Sequence, residues 1–319
     1  MTTDTGAQRT GAQQRGAQLV LGPELFHWPA ETLRDFYYRI ADEGDYDTVC
    51  LGEVVCSKRT PFFEDELPEV IARLRRAGKE VLLATLSLIN DERELAAARA
   101  LIDVAPGLVE VNDVGVLPAL RGKPHAIGPF VNIYNEDALG FLIGQGAVRA
   151  CLNPELPGSL IADLARLSSI PLEVMVFGRV PLAISARCFH ARAEDRTRDG
   201  CQFACKADPD GRSIRTIEDM PFLAMNGLQT LSYTCANLMH ELAPMRQAGV
   251  HRFRLSPQTG DMVATAALFR DVLEGRLEPG SAMQRLALVH PDLPFANGFY
   301  YAAPGHQFVE PTRVQAALA

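Results

Sequence analysis

Three cysteines lie close together in one strongly charged stretch of the chain, "SARCFHARAEDRTRDGCQFACK" (185–206). Cys188, Cys201 and Cys205 follow the spacing C-x12-C-x3-C, and many of their neighbours are Arg, Asp, Glu or Lys. Free cysteines usually pack among apolar residues, so this setting is a poor one for packing residues. Thiolates are soft ligands that hold zinc or iron–sulfur clusters. The stretch therefore predicts a metal site that needs a fourth ligand from elsewhere.

The best candidate for that fourth ligand is Cys56, which follows an apolar run in "LGEVVCSKR" (51–59). Cys50 lies inside the same apolar run and is expected in the core. Cys151 and Cys235 are expected to be buried packing residues. A set of four cysteines suits both zinc and an iron–sulfur cluster, and C-x3-C is only slightly less typical of zinc than C-x2-C. The residues alone leave both metals open.

Short apolar runs alternate with helical stretches along most of the chain. About eight runs are interpreted as strands, at 18–23, 46–54, 79–88, 107–115, 125–135, 147–155, 171–180 and 250–257. Asp91 is the expected N-cap of one intervening helix. Such alternation indicates a parallel sheet, and eight units in about 250 residues are typical of a closed barrel. We therefore expect an α/β fold, a (β/α)8 TIM-barrel-like domain with an irregular cysteine-bearing insertion (181–235) after the seventh strand. An open doubly wound sheet is the alternative.

The two ends of the chain differ from the barrel in composition. Residues 1–17 repeat "GAQ" among polar residues and are expected to form a disordered tail. Residues 18–319 are expected to form a single barrel-like domain, with a C-terminal extension from about residue 276 that contains Pro and Gly.

Overall charge and hydropathy narrow the class of protein. The 319 residues include 31 Lys and Arg against 39 Asp and Glu, a net charge of −8. An acidic chain argues against binding to a nucleic-acid backbone. No apolar run reaches the roughly 18 residues that span a bilayer, and the N-terminus lacks the apolar segment of a secretory signal. We expect a cytoplasmic protein with no membrane span and no nucleic-acid partner. In that reducing compartment, clustered cysteines favour metal or redox chemistry over disulfides.

Polar residues that follow the strands are candidates for contact with a substrate. In both architectures the active site lies at the carboxyl ends of the strands. Glu53, Asn112 and Asp113 occupy such positions, although each can equally cap the element that follows its strand. Further polar residues after strands are Asn132, Asn153 and Ser256. The insertion after strand seven reaches the same rim, so its cysteines can face Cys56.

Arginines surround the cysteine stretch, at positions 187, 192, 196 and 198. Arg187 and Arg192 are the candidates for catalysis or binding, because positive charge near a cluster raises its potential and guanidinium groups bind carboxylates. The alternative is a solvated charged loop, since acidic residues are interspersed among these arginines.

No pattern in the sequence supports peptidase chemistry. The chain contains neither an H-E-x-x-H zinc helix nor a G-x-S-x-G nucleophile turn. Cys188 could serve as a nucleophile with His190 as its base, but side chains two residues apart need not meet. That hypothesis also leaves three cysteines unexplained.

Several segments resemble the collagenase-like family of unassigned peptidases, and within it the iron–sulfur proteins of O2-independent ubiquinone biosynthesis. The similar segments are "LGPELFHWPAETL" (21–33), "LGEVVCSKR" (51–59), "NDVGV" (112–116), "ARCFHARAEDR" (186–196), the Cys201/Cys205 pair, "NGLQT" (226–230) and "RLSPQ" (254–258). The placement of four cysteines together with "SARCF" and "AEDR" is the most specific part of this resemblance.

The resemblance implies that Cys56, Cys188, Cys201 and Cys205 hold a 4Fe–4S cluster. It also implies a subunit of an O2-independent hydroxylase that acts on the aromatic ring of prenylated ubiquinone precursors. The implied partners are a homologous UbiU-type subunit in a heterodimer and a lipid-carrier accessory protein, UbiT, with prephenate as the hydroxyl donor. Two alternatives stay open: an RNA-base hydroxylase of the same family and a zinc-stapled, non-catalytic binding subunit.

Overall fold

A computed structural model describes residues 16–310 of the chain. The expected disordered tail (1–17) therefore lies almost wholly outside the described residues, as does the end of the C-terminal extension (311–319).

Eight parallel strands close into a barrel. The strands of the chain are β1 (Gln18–Leu21), β2 (Thr48–Leu51), β3 (Glu80–Ala84), β4 (Val109–Val111), β5 (His125–Ile127), β6 (Ala147–Cys151), β7 (Leu172–Ile184), β8 (Arg212–Arg215), β9 (Pro221–Asn226), β10 (Gln229–Asn237), β11 (Arg252–Leu255) and β12 (Phe295–Ala296). Strands β1 to β7 pair in order, and β11 pairs in parallel with both β7 and β1. This closure confirms the predicted barrel and excludes the open sheet.

Helices surround the barrel and cover its outer face. The helices of the chain are α1 (Ala30–Glu43), α2 (Leu67–Arg76), α3 (Glu92–Val104), α4 (Glu136–Gly144), α5 (Gly158–Leu167), α6 (Phe189–Ala193), which belongs to the insertion, α7 (Leu242–Gln247), α8 (Met262–Leu273) and α9 (Pro279–Val289). The predicted N-cap at Asp91 is confirmed, since its carboxylate accepts a hydrogen bond from the Glu94 backbone N–H at 2.8 Å. Within residues 16–310, no helix is long and apolar enough to cross a membrane.

Ion pairs, as well as apolar side chains, fill the inside of the barrel. Arg254, on β11, bonds Glu173 through Nε at 2.5 Å and also bonds Glu110, on β4. Because β11 and β4 are not neighbours in the sheet, the second bond crosses the interior. Arg252 bonds the other oxygen of Glu173 at 3.3 Å. Burial raises the pKa of Glu173, but the surrounding arginines outweigh burial and hold that pKa below its usual value. Each charge here has a partner within the chain.

The insertion after the seventh barrel strand is more regular than its sequence predicts. β7 extends beyond the barrel and pairs with β10 in antiparallel register, and β9 and β8 continue the sheet outwards. The short helix α6 lies between β7 and β8. Strands β8 and β9 are short and lie amid charged residues, so their sequences lack a clear apolar alternation.

The C-terminal extension packs onto this antiparallel sheet. Its strand β12 pairs in parallel with β10. Two side chains of the extension also bond Glu241, which lies just before α7. The Glu241 carboxylate accepts hydrogen bonds from Asn297 at 3.1 Å and from the Tyr301 hydroxyl at 2.9 Å. The extension thereby ties the insertion to the end of the barrel.

Candidate functional site

Four cysteines from two distant parts of the chain line one cavity. Cys56 comes from the loop that follows β2, whereas Cys188, Cys201 and Cys205 come from the insertion. The cavity lies at the carboxyl-end rim of the barrel, where active sites of such barrels form. These are the four cysteines singled out from the sequence, and the structure brings them together.

Glu53 shapes the loop that presents Cys56. Its carboxylate accepts hydrogen bonds from the backbone N–H groups of Val55 at 2.7 Å and Cys56 at 2.8 Å. Burial raises the pKa of Glu53, and the Arg59 guanidinium and the two backbone bonds oppose that rise. Glu53 was a candidate for substrate contact, and these bonds make it a residue that positions a cysteine.

His190 is fixed on both of its ring nitrogens. Nδ1 accepts the backbone N–H of Gly227 at 3.0 Å, so Nε2 carries the proton and donates to Asp208 at 3.0 Å. The Cys188 thiol therefore has no base in His190, and the nucleophile hypothesis has no geometric support. The ring instead fastens α6 to the turn between β9 and β10.

Basic residues anchor the loop that carries Cys201. The Lys58 ammonium donates to the Arg198 carbonyl at 2.7 Å and lies 2.9 Å from Asp199. Arg198 itself pairs with the buried Glu94 at 3.3 Å. Arg196 donates to the Cys201 carbonyl at 3.3 Å. Lys58 thereby holds the cysteine loop against the segment that provides Cys56, and Arg198 holds the loop against α3.

Arg59 is a residue of the cavity that was not singled out from the sequence. Its side chain is 4% exposed, and it donates to the Leu25 carbonyl at 2.9 Å and to the Asn226 side chain at 2.8 Å. Within the described part of the chain, its buried Nε has no hydrogen-bond partner. The available signal was its position in the sequence, three residues after Cys56 in "CSKR".

The cysteine thiols are held in a partly apolar environment. Burial raises the pKa of both Cys56 and Cys205, while the Arg59 charge opposes the rise in each. Beneath them lies a small apolar cluster that contacts Cys56 and Cys188. Loss of the thiol protons therefore needs compensating positive charge, which a metal centre supplies when it binds.

The thiols surround the cavity without converging on one point. Among residues 16–310, no three Cys, His, Asp or Glu side chains are grouped closely enough to hold a single metal ion. A zinc ion needs its four sulfurs about 2.3 Å from one centre. A 4Fe–4S cluster takes one thiolate at each iron corner, so its ligands stand farther apart around a larger volume. Four thiolates from one cavity lining are a donor set that suits either a zinc ion or a 4Fe–4S cluster.

The other predicted residues lie outside the lining of this cavity. Asp113 accepts the backbone N–H groups of Ile89 and Gly115, each at 2.8 Å, and so it caps a turn. Asn112 is buried and donates to Thr85 at 3.3 Å. The side chains of Arg187 and Arg192 are exposed. For all four residues, contact with a substrate stays a prediction.

An aromatic group adjoins the cavity through Phe203. The Phe203 and Phe62 rings meet edge to face, with their centroids 4.6 Å apart, and the Lys206 ammonium lies 4.1 Å from the Phe62 centroid. His27 packs against both rings. Burial, followed by the charges of Arg59 and Lys206, lowers the pKa of His27 to about 4, so this imidazole is neutral at pH 7.

Several solved structures are similar to this chain in outline. Dihydropteroate synthase (FolP) from Thermus thermophilus is 12% identical, with 82% of this chain and 93% of that chain covered and a TM-score of 0.41. A truncated 3-deoxy-D-arabino-heptulosonate 7-phosphate synthase from Thermotoga maritima is 10% identical, with 88% and 89% covered and a TM-score of 0.42. A tryptophan synthase complex from Pyrococcus furiosus is 9% identical, with 87% and 100% covered and a TM-score of 0.40. The architecture of the barrel rests on its strand pairing, independently of these likenesses.

The family comparison is more specific. The model of peptidase family U32 matches residues 29–309, which include every element from α1 onwards and all four cavity cysteines. The match agrees with the collagenase-like resemblance of the individual segments, and the chain belongs to peptidase family U32.

Proposed function

We propose that this chain is a UbiV-like protein, the 4Fe–4S subunit of an O2-independent hydroxylase in ubiquinone biosynthesis. The observation that carries the proposal is the single cavity lined by Cys56, Cys188, Cys201 and Cys205. Within family U32, this four-cysteine placement is the feature that the chain shares with the iron–sulfur proteins of that pathway. No geometry at His190 supports the peptidase activity in the family's name.

In this proposal the four thiolates hold the cluster, and other residues of the chain position them. Glu53 fixes the Cys56 loop, and Lys58 with Arg198 holds the Cys201 loop against it. With all four protein ligands in place, a 4Fe–4S cluster supplies one-electron transfer.

The substrates and partners are part of the same proposal. The chain works with a homologous UbiU-type subunit, and UbiT delivers the prenylated quinone precursor. Prephenate, the proposed hydroxyl donor, carries carboxylates. Arg187 and Arg192 are exposed on either side of Cys188 in the sequence and are the proposed contacts for those groups.

Metal and sulfide analysis of the anaerobically purified chain tests the cluster. We expect a brown protein with about four iron atoms and four sulfides per chain. Cys205→Ala removes one corner ligand and is expected to lose the cluster. Cys151→Ala is the matched control, because Cys151 is equally buried but lies away from the cavity. A colourless protein loaded with zinc would contradict the proposal.

Growth without O2 tests the pathway. Deleting the gene is expected to abolish ubiquinone under anaerobic conditions and to leave it unchanged in air, and Cys188→Ala is expected not to restore it. Unchanged anaerobic ubiquinone, together with the loss of a hydroxylated RNA base, would favour the RNA-base alternative instead.

A further inference from the structure

We propose that Arg59 is a positioning residue for the cluster, donating its Nε–H to a sulfur at the Cys205 side and supplying positive charge that favours the reduced state. This inference rests on the proposed 4Fe–4S site and assigns one residue its role there.

The guanidinium of Arg59 is held in place by three neighbours. Nη1 donates to the Leu25 carbonyl at 2.9 Å, and Nη2 donates to the Asn226 oxygen at 2.8 Å. Gly227 packs against the same nitrogen so closely that a Cβ at this position would lie 2.7 Å from Nη2. Gly227 also has φ +62°, a conformation that favours glycine. The backbone therefore forms a cradle that fits the guanidinium.

One donor of this fixed group is left over. Within residues 16–310, Nε is buried and has no hydrogen-bond partner, although Arg59 lines the cavity together with the four cysteines. Leaving a buried charged donor unpaired costs roughly 1–3 kcal/mol or more, so a sulfur that accepted this N–H would remove that cost. Burial raises the pKa of Cys205, and Arg59 opposes that rise through its charge and through a side-chain hydrogen bond, which places the guanidinium beside this sulfur.

The chemistry of a four-thiolate cluster matches this leftover donor. Hydrogen bonds to cluster sulfurs and nearby positive charge stabilise the reduced, more negative form and raise the reduction potential. Arginine suits this role better than lysine. The two terminal nitrogens of its planar guanidinium donate to fixed acceptors on Leu25 and Asn226, and its Nε–H remains available to a sulfur. The arginines at 187 and 192 are exposed and solvated, so their charges act more weakly.

Pulsed EPR on the reduced, anaerobically purified full chain tests the contact directly. With 15N-labelled arginine, we expect a 15N coupling to the cluster in the unaltered protein and its loss in Arg59→Lys. An absent coupling in the unaltered protein overturns the inference, and this measurement needs no variant to fold. If the unaltered chain binds no cluster at all, the proposed function itself fails, which is a separate outcome.

Redox titration adds a second readout. Arg59→Gln is expected to shift the midpoint potential to a more negative value, and Arg59→Lys, which keeps the charge, is expected to shift it less. Arg149→Gln is the matched control, because it removes the same charge from a largely buried arginine that pairs with Glu80 at 3.0 Å, outside the cavity lining. Equal shifts in Arg59→Gln and Arg149→Gln, at full iron and sulfide content, also overturn the inference.

Discussion

The barrel interior and the cysteine cavity both bury arginine side chains, but they pair these charges differently. Inside the barrel, Arg252 and Arg254 share Glu173, and Arg254 also bonds Glu110. In the cavity, Arg59 keeps a buried Nε without a partner in the described part of the chain. Buried charges are tolerated when they are paired, and a ligand is one explanation for a donor that is not. The paired arginines of the interior support the fold, whereas the Arg59 donor is available to a ligand of the cavity.

Breaking the interior network should cause the largest loss of stability. Glu173→Gln removes the charge that two buried arginines share, leaving Arg254 with Glu110 and Arg252 with only the more distant Glu80 at 3.7 Å. We expect the free energy of unfolding to fall by about 3–5 kcal/mol. Urea denaturation followed by circular dichroism measures it. Glu80→Gln is the control, because Glu80 is 41% exposed on its side chain and a smaller loss is expected there.

The pH dependence of the free energy of unfolding checks the sign of the Glu173 contribution. The folded-state pKa of Glu173 lies below the value of 4.5 that an unperturbed Glu has. Its contribution to stability is therefore fully present above pH 4.5 and is lost as the pH falls through the folded-state pKa. The difference between the unaltered protein and Glu173→Gln should narrow in acid, and a widening difference would contradict the assignment.

Removing the support of the Cys56 loop should have a smaller effect on stability and a clear effect on metal content. Glu53→Ala leaves the backbone N–H groups of Val55 and Cys56 without their acceptor. We expect a loss of about 1–3 kcal/mol in unfolding free energy and a reduced iron content after anaerobic purification. Full iron content at unchanged stability would show that the loop holds its shape without Glu53.

Exposed arginines should matter least to the fold. Arg192→Ala is expected to change the free energy of unfolding by less than about 0.5 kcal/mol, because the side chain is exposed. Iron content should also stay the same, while binding of prephenate to the assembled hydroxylase weakens. A loss of iron in this variant would move Arg192 from the proposed substrate contact to the support of the cluster.

Much of the fold was predictable because its signals are local. Alternation of strands and helices predicts the barrel, and Cys56 at the end of a strand predicts a ligand that faces the insertion. The antiparallel strands β8, β9 and β10 were not predicted, because the charges and turn residues around them interrupt the alternation of strands and helices.

Contacts between distant segments were not predictable in the same way. The bond from Arg254 to Glu110 joins residues on strands that do not pair, and no sequence pattern records it. Glu53 and Asp113 were chosen because they follow strands, and their carboxylates accept backbone N–H groups in the same loops, as the capping alternative expected. Arg59 was missed because a single arginine in a polar turn resembles any surface residue until its burial is known.

The continuity of β7 has a mechanical consequence. β7 is a single strand of 13 residues that belongs first to the barrel and then to the antiparallel sheet. A strand is stiffer than a loop, so the connection between the barrel and the insertion does not act as a hinge. The same strand pairs with β11 at one end and with β10 at the other. The sheet thus fixes where the insertion begins, four residues before Cys188, relative to the barrel whose β2 leads to Cys56. A rigid start to the insertion lowers the backbone entropy that remains to be lost when a ligand enters the site.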